Sequence, residues 1–325
     1  MFKEARMMHG ARRLVEVCAR VQPGERALVV SDMKTDPVIA QLLFGALLSV
    51  QARPAIIYTV SGKTDSGEPE PMVSAAMAAA DVVFTAVGVS VTHTAAVQQV
   101  CARGGRVVAL TQWTPEMMMG GGIDADFAAI EPRVRRVAAI WDKGSSVRVT
   151  TPAGTDLELD IRGRLGSPHA KTGIVRPGDF HPVPDIESPV SPVSAEGRIV
   201  CDASIPYLGI GVLAEPVTLE VRDGNVVSIA GGPAADIVRA SWESMGDPAV
   251  YNIAELGIGM NPCCRLLGLM LEDEGVANTC HIGIGTSITL GGTVKAPCHY
   301  DFIMHRPTIT VDGSCIMRDG ELLIE

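Results

Sequence analysis

Apolar runs rich in β-branched residues alternate with helical patterns through the first 140 or so residues, and this alternation constrains the fold most. The strand-like runs are ERALVVS (25–31), RPAIIYTV (53–60), DVVFTAV (81–87) and GRVVALT (105–111). Alanine-rich helical segments at 71–80 and 91–103 separate the later runs. Apolar strands separated by helices are typical of a parallel sheet with helices on both faces. The sequence therefore predicts an N-terminal Rossmann-like α/β domain over residues 1–142.

Local signals support this prediction and limit what the domain binds. In DPVIAQLLFGALLSVQ, Asp36 precedes Pro37 in the pattern of an N-cap and a first helical residue. No GxGxxG follows the first strand, and the glycine run at 120–122 follows a methionine-rich helix. Since a glycine turn after the first strand cradles the phosphates of dinucleotides, we predict that no nicotinamide cofactor binds.

The second half of the chain has the pattern of strands joined by tight turns. VRVTTPAGTDLELDI predicts a hairpin around residues 152–154, and Asp-Gly pairs at 223–224, 312–313 and 319–320 predict further turns. We predict two helices, at about 233–245 and 263–272, and an ordered loop region at 163–197, which is rich in Gly and Pro. The prediction for residues 143–325 is a β-rich α+β domain that binds metal.

Charge, hydropathy and cysteine usage exclude several classes of protein. The net charge is −10 and the sequence has no Lys/Arg cluster, so a nucleic-acid partner is not expected. Mean hydropathy is +0.24, but the apolar runs are too short to span a bilayer, and the N-terminus lacks a signal-peptide pattern. Eight cysteines without a CxxC pair fit a reducing compartment. We therefore expect a cytoplasmic protein that acts on a small molecule.

Metal-competent side chains are concentrated near the C-terminus. They are Glu255, Glu274, His281, His299 and Asp301. Carboxylate oxygens and imidazole nitrogens together suit Zn, Mn, Co or Fe(II), and carboxylates also bridge two ions. The sequence predicts a metalloenzyme with one or two divalent metal ions.

Local patterns place several of these side chains. His299 and Asp301 are two apart in the strand-like run CHYDFIM, so both face the same side, and Cys298 faces the other. Glu255 lies within the apolar run NIAELGIGM, where a buried carboxylate without a counter-charge would be costly. Glu274 is a candidate only through its spacing to His281. The alternative is that the histidines are hydrogen-bonded core residues and that Glu274 lies on a solvated helix end.

The quoted motifs resemble a known family. IAELGIGMNP, a DE pair followed by HIGIG, a Gly-Gly, HYDF and a late VDG turn are similar to the aminopeptidase T family of metallopeptidases and its shorter relatives. The start VQPGERALVVSD is also similar, so the resemblance covers most of the chain. It implies an α/β domain, a β-rich domain with two metal ions, and a homodimer. Carried over by motif, the following residues match metal ligands: Glu255, His281, His299 and Asp301. Glu274 matches the acidic residue ahead of the ligand histidine, and Glu187 matches a family glutamate.

Two departures from the aminopeptidase pattern open a second reading. Aminopeptidases of this family are longer and carry a tyrosine where this chain has Ser287 and Ile288. A shorter branch resembles 2,5-dihydroxypyridine 5,6-dioxygenase, which holds one ferrous ion with two histidines and an aspartate. Its histidine-aspartate pair matches His299 and Asp301, and its other histidine falls at Glu255.

Two enzyme hypotheses follow from these observations. The first is a metal-dependent hydrolase of a small amide or peptide-like substrate, in which Glu187 or Glu274 is the general base. The alternative is Fe(II)-dependent ring cleavage of a hydroxylated pyridine or related aromatic, in which His281 or Glu255 completes the ligand set. A binding protein with a vestigial metal site is disfavoured, because buried carboxylates without an ion would destabilise the fold.

Overall fold

The computed structural model describes residues 3–62 and 67–324. Its residues form two compact units, of which the first comprises Met1–Ala129 and Thr172–Asp185 and the second comprises Ile130–Lys171 and Ile186–Glu325.

The strands of both units alternate along the chain with turns and helices. In chain order they are β1 (Arg26–Asp32), β2 (Arg53–Thr59), β3 (Val82–Ala86), β4 (Arg106–Ala109), β5 (Ser146–Thr150), β6 (Asp156–Asp160), β7 (Phe180–Pro182), β8 (Glu187–Val190), β9 (Ser194–Cys201), β10 (Ser204–Ile205), β11 (Gly211–Val212), β12 (Val217–Arg222), β13 (Asn225–Ala230), β14 (Ile253–Gly259), β15 (Thr279–Gly285), β16 (His299–His305), β17 (Thr308–Val311), β18 (Ser314–Arg318) and β19 (Glu321–Leu322).

Most of the helices lie in the first half of the chain. The α-helices are α1 (Lys3–Arg12), α2 (Pro37–Ser49), α3 (Pro71–Ala79), α4 (Ala95–Ala102), α5 (Pro115–Met119), α6 (Phe127–Trp141), α7 (Gly232–Met245) and α8 (Met270–Asp273). A π-helical segment follows α1 at Arg13–Cys18, and 3-10 turns lie at Gly122–Asp124, Pro248–Tyr251 and Ile288–Leu290.

The first unit contains a parallel sheet in the order β2-β1-β3-β4-β7. Strands β3 and β4 are buried along their whole length, as expected for strands covered on both faces. Helix α2 begins as predicted, because the carboxylate of Asp36 accepts a hydrogen bond from the backbone N–H of Val38 at 3.0 Å. The strand order differs from the dinucleotide-binding order 3-2-1-4-5-6, so the finer Rossmann-like assignment stays a prediction.

The second unit contains two antiparallel sheets. One has the order β11-β10-β16-β15-β14-β8 and the other the order β13-β12-β9-β6-β5-β17-β18-β19. In the second of these sheets, strands β5 and β6 alternate exposed and buried residues, so one face is solvated. In the first sheet, strands β14 and β15 are buried at every position. The mixed α/β fold class, with a parallel sheet and antiparallel sheets, is confirmed.

The predicted Asp-Gly turns connect neighbouring antiparallel strands. At each pair both residues have positive φ, for example 46° at Asp312 and 83° at Gly313. Two consecutive positive φ values define the hairpin turn whose twist matches the flanking strands, and Asp-Gly is a preferred sequence for it. The predicted hairpin of β5 and β6 is also present.

Two local predictions were wrong. The predicted loop region at 163–197 contains strands β7 and β8 and the beginning of β9. The helix predicted at 263–272 is reduced to α8, because Gly268 has a φ of 74° and ends any helix that approaches it. The carboxylate of Asp273 instead accepts backbone N–H groups of Leu267 and Gly268.

The grouping into units does not coincide with the predicted boundary between residues 142 and 143. It divides helix α6 between Ala129 and Ile130, and it assigns Thr172–Asp185 to the first unit, where β7 pairs with β4. No helix in the described parts of the chain is both long and apolar enough to cross a bilayer.

Candidate metal centre

Four neighbouring strands of the second unit bring carboxylates and imidazoles together. Strand β16 carries His299 and Asp301, and β15, β14 and β8 carry His281, Glu255 and Glu187. Alternation along β16 places its two side chains on one face, as predicted. The register pairs Gly283 of β15 with both Glu255 and Asp301, so the side chains of these strands point to the same face.

Glycines opposite the ligand candidates make room for them. Gly257 pairs with His281 across β14 and β15, and a Cβ atom on Gly257 would lie 2.0 Å from Nε2 of that ring. A Cβ atom on Gly283 would lie 2.5 Å from Nε2 of His299. The alternating glycines of ELGIG and HIGIG therefore clear space above the sheet for large polar side chains.

The five side chains form two donor groups that share Glu255. In the first group, Nε2 of His281 lies 3.1 Å from Oε2 of Glu187 and 3.9 Å from Oε1 of Glu255. In the second group, Nε2 of His299 lies 3.0 Å from Oε2 of Glu255 and 3.4 Å from Oδ1 of Asp301. The donor atoms within each group all lie within 4.8 Å of one another. Oε1 of the shared Glu255 carboxylate faces the first group, and its Oε2 faces the second.

The ring orientation of His299 is set by a backbone carbonyl. Nδ1 of this ring lies 2.8 Å from the carbonyl oxygen of Thr286, which can only accept, so Nδ1 carries the hydrogen. In the neutral ring the lone pair is then on Nε2, which faces Glu255 and Asp301. A hydrogen bond from the far nitrogen to a carbonyl is the usual arrangement of a histidine that ligates metal.

The charges of the centre perturb one another strongly because all five groups are buried. Burial disfavours the ionised form of Glu255, but the two histidine rings outweigh it and lower the pKa of Glu255 to about 2. Burial likewise disfavours the imidazolium forms, but carboxylates raise the pKa of both His281 and His299 well above the usual range. Burial, followed by the charge of Glu255, raises the pKa of Glu187. The carboxylates thus require positive charge, from protons or from metal ions.

The donor set fits a divalent ion. Within the described residues, Oδ1 of Asp301, Oε2 of Glu187 and Nδ1 of His281 are buried without a hydrogen-bond partner. Buried polar atoms are rarely left in this state unless another group satisfies them. Oxygen and imidazole donors in this density suit Zn, Mn, Co and Fe(II). The two groups are consistent with one or two divalent metal ions such as Fe(II).

Glu274 lies outside both donor groups. Its Oε1 lies 2.8 Å from the hydroxyl of Tyr207, and that hydroxyl donates to Oδ2 of Asp301 at 2.7 Å. The structure therefore puts a phenol between Glu274 and the nearest ligand candidate. No sequence signal pointed to Tyr207, because SIPYLGI contains no motif and Tyr207 lies 94 residues from Asp301. The roles of all these residues as ligands or catalysts remain predictions.

Comparisons with known proteins place the chain in a family. The family model described as 2,5-dihydroxypyridine 5,6-dioxygenase (NicX) matches residues 6–324. The 2,5-dihydroxypyridine 5,6-dioxygenase of Pseudomonas putida KT2440 is 28% identical over 142 residues. That match spans 40% of this chain and 40% of the length of the curated relative.

Solved structures support the fold. The 2,5-dihydroxypyridine dioxygenase of Pseudomonas putida KT2440 superposes with a TM-score of 0.79 at 20% identity, covering 99% of this chain and 98% of that one. Wild-type AmpT of Thermus thermophilus gives 0.68 at 14% identity and covers both chains fully. At these identities the likeness concerns the fold alone, so the aminopeptidase resemblance fits only in part. From the family match over nearly its whole length, the chain belongs to the 2,5-dihydroxypyridine 5,6-dioxygenase family.

Proposed function

We propose that this protein is a metal-dependent dioxygenase that opens the ring of a hydroxylated pyridine or a related aromatic compound. The observation that carries this proposal is the family match over residues 6–324. It favours the ring-cleavage alternative over the hydrolase that the sequence motifs favour. The buried group of Glu255, His299 and Asp301 could hold a metal ion, with Glu255 at the position of the second histidine of 2,5-dihydroxypyridine 5,6-dioxygenase.

Residues of this chain would hold the ion and accept a proton from the substrate. Oε2 of Glu255, Nε2 of His299 and Oδ1 of Asp301 are the donors we assign to Fe(II). Bound Fe(II) supplies the redox chemistry that lets dioxygen react with an electron-rich ring. Glu187, whose Oε2 lies 3.1 Å from Nε2 of His281, can accept a proton from a ring hydroxyl beside that site. Burial of all five groups excludes bulk water.

Oxygen uptake tests the proposal. Protein reconstituted anaerobically with Fe(II) is mixed with 2,5-dihydroxypyridine and related hydroxylated aromatics in an oxygen electrode. We expect one O2 to be consumed per ring opened, and we expect His299→Gln to lose activity. The same substitution at the exposed His9, His9→Gln, is the control. If Fe(II)-loaded protein turns over none of these compounds and consumes no oxygen, the proposal fails.

A metal-dependent hydrolase of a small amide or peptide-like substrate is the second candidate. Three carboxylates and two histidines in two groups that share Glu255 can hold two divalent ions with a bridging carboxylate. Hydrolysis consumes no oxygen, so this activity would persist under strict anaerobiosis with Zn, Mn or Co. Turnover of amide substrates under those conditions, without any on hydroxylated aromatics, would replace the dioxygenase proposal.

Assembly, location and the finer fold assignment are further proposals. We propose that the chain forms a homodimer, is cytoplasmic, binds neither nucleic acid nor membrane, and has a Rossmann-like first unit. The net charge of −10 supports the absence of nucleic-acid binding, since phosphates repel an acidic surface. Light scattering after size exclusion tests the assembly, and a mass other than twice 34.2 kDa would contradict it.

A further inference from the structure

Asp301 presents its two carboxylate oxygens to different partners. Oδ1 lies 3.4 Å from Nε2 of His299, within the donor group, and has no hydrogen-bond partner among the described residues. Oδ2 accepts the hydroxyl hydrogen of Tyr207 at 2.7 Å. Both side chains are buried, so water does not compete for this hydrogen bond.

The position of the Tyr207 ring does not depend on its hydroxyl alone. The ring lies in the segment between β10 and β11 and packs against Tyr300, with the centroids 5.0 Å apart. The hydroxyl of Tyr300 lies 3.2 Å from Oγ of Ser241 in α7. A phenylalanine at position 207 would therefore keep the aromatic packing and remove only the contacts of the hydroxyl.

We propose that Tyr207 is a positioning residue of the metal centre, which restricts Asp301 to one coordinating oxygen and separates Glu274 from the ion. A carboxylate can bind a cation through one oxygen or through both. Because the hydroxyl of Tyr207 holds Oδ2 while Oδ1 has no hydrogen-bond partner among the described residues, the ion would bind Oδ1, and a coordination position would stay open for substrate. This inference rests on the metal centre of the proposed function, but not on its reaction class.

Co(II) binding to the metal-free, full-length protein tests this role without substrate or oxygen. In Tyr207→Phe we expect Co(II) affinity, measured by calorimetry, to fall about 10–100-fold, as is usual when a partner that orients a ligand is lost. We also expect weaker visible absorption bands of bound Co(II), because a second oxygen from Asp301 would raise the coordination number. Affinity within twofold of wild type, or an unchanged spectrum, would overturn the proposal.

Two further variants make the result specific. Tyr251→Phe removes a hydroxyl from another aromatic of the same unit, which packs on Trp242 with the centroids 5.3 Å apart, and should bind Co(II) as wild type does. Glu274→Gln keeps Tyr207 and reaches Asp301 only through its hydroxyl, so it should lower Co(II) affinity less than Tyr207→Phe does. A loss in Glu274→Gln that exceeds the roughly 10–100-fold expected for an orienting partner would mean that Glu274 itself binds the ion, and would overturn the proposal even if Tyr207→Phe did not fold. If these results hold but no oxygen is consumed, only the proposed reaction fails.

Discussion

Glu255 links the two donor groups of the centre. Its Oε2 lies 3.0 Å from Nε2 of His299, and its Oε1 faces His281 at 3.9 Å. Glu187, in contrast, belongs to one group. Loss of a shared carboxylate should therefore affect both groups, whereas loss of Glu187 should affect one.

We expect Glu255→Ala to lower divalent-metal affinity by more than the roughly 10–100-fold that follows loss of an orienting partner, because a donor itself is removed. Glu187→Ala should retain the metal bound by Glu255, His299 and Asp301. Elemental analysis after dialysis measures both. Wild-type metal content in Glu255→Ala would show that Glu255 is not a metal ligand.

The charge state of the metal-free centre predicts an unusual pH dependence. Carboxylates raise the pKa of His281 and His299 in the folded protein, so their stabilising effect is full below the unfolded pKa of about 6.5 and is lost as pH rises through the folded value. Glu255 and Asp301 have lowered pKa values, so their effect is present above about pH 4 and lost on acidification. We expect the melting temperature of metal-free protein to fall from about pH 6.5 upward.

Metal binding should show the opposite trend. An ion must displace the proton on Nε2 of each ring that binds it, so affinity should rise with pH and binding should release protons, which calorimetry in buffers of different ionisation enthalpy detects. In the double variant His281→Gln/His299→Gln the buried carboxylates lose their counter-charges and their pKa values rise, so the decline should begin at lower pH, near the ordinary carboxylate pKa of about 4. A decline that begins at the same pH in that variant would assign the effect to other groups.

The sequence predicted the positions of some residues of the centre and not of others. The spacing of His299 and Asp301 predicted a shared face, because alternation in a strand is a local property. Convergence with Glu255 and His281 depends on the register of three strands, which no local pattern fixes. Glu187 came from the family resemblance alone. Tyr207 contacts Asp301 across the fold and gives no signal in the sequence.

At the level of elements, β14 and β15 alternate ligands with glycines. Neither Gly257 nor Gly283 has a left-handed φ, so an alanine there is strained only by the side chains it meets. The rings of His281 and His299 stand directly over these glycines.

We expect Gly257→Ala to weaken metal binding while the protein still folds. The added Cβ atom would lie 2.0 Å from the present position of Nε2 of His281 and would therefore displace that ring. Gly283→Ala should act on His299 in the same way. Gly45→Ala, in helix α2, is the matched control, since its Cβ would make an ordinary contact of 3.6 Å with Met8. Unchanged metal affinity in Gly257→Ala would show that the glycine does not define the site.

The end of β1 supports the expectation that no nicotinamide cofactor binds. The carboxylate of Asp32 accepts the backbone N–H groups of Lys34, Thr35 and Gly88 at 3.0–3.1 Å. These donors, at the carboxyl ends of β1 and β3, are therefore not available to a phosphate. Calorimetry with NAD and NADP should detect no saturable binding, and a micromolar dissociation constant would contradict this expectation.

Elements that lie in clear apolar runs were predicted well, and those without such a run were not. Strands β1, β3 and β4 and helix α2 follow from apolar runs and a clear cap. Strand β8, with the sequence ESPV, has too few apolar residues to stand out, although it carries Glu187. Its strand conformation depends on pairing with β14, which is a tertiary interaction.

For the whole molecule, the fold does not decide between the two reaction classes. A dioxygenase and an AmpT protein superpose on this chain with TM-scores of 0.79 and 0.68. The sequence motifs led first to the hydrolase, because the ligand set resembles that of aminopeptidases. The family match over residues 6–324 reverses that order. The choice now depends on chemistry at the metal.

Oxygen consumption by metal-defined protein is the most direct test of the central claim. Protein stripped of metal is reloaded with Fe(II) or with Zn under anaerobic conditions, and a known amount of oxygen is admitted with 2,5-dihydroxypyridine or a related hydroxylated aromatic. We expect ring opening with one O2 per substrate in the Fe(II) sample and none in the Zn sample. Substrate turnover that is equal in both samples and independent of oxygen would contradict a dioxygenase.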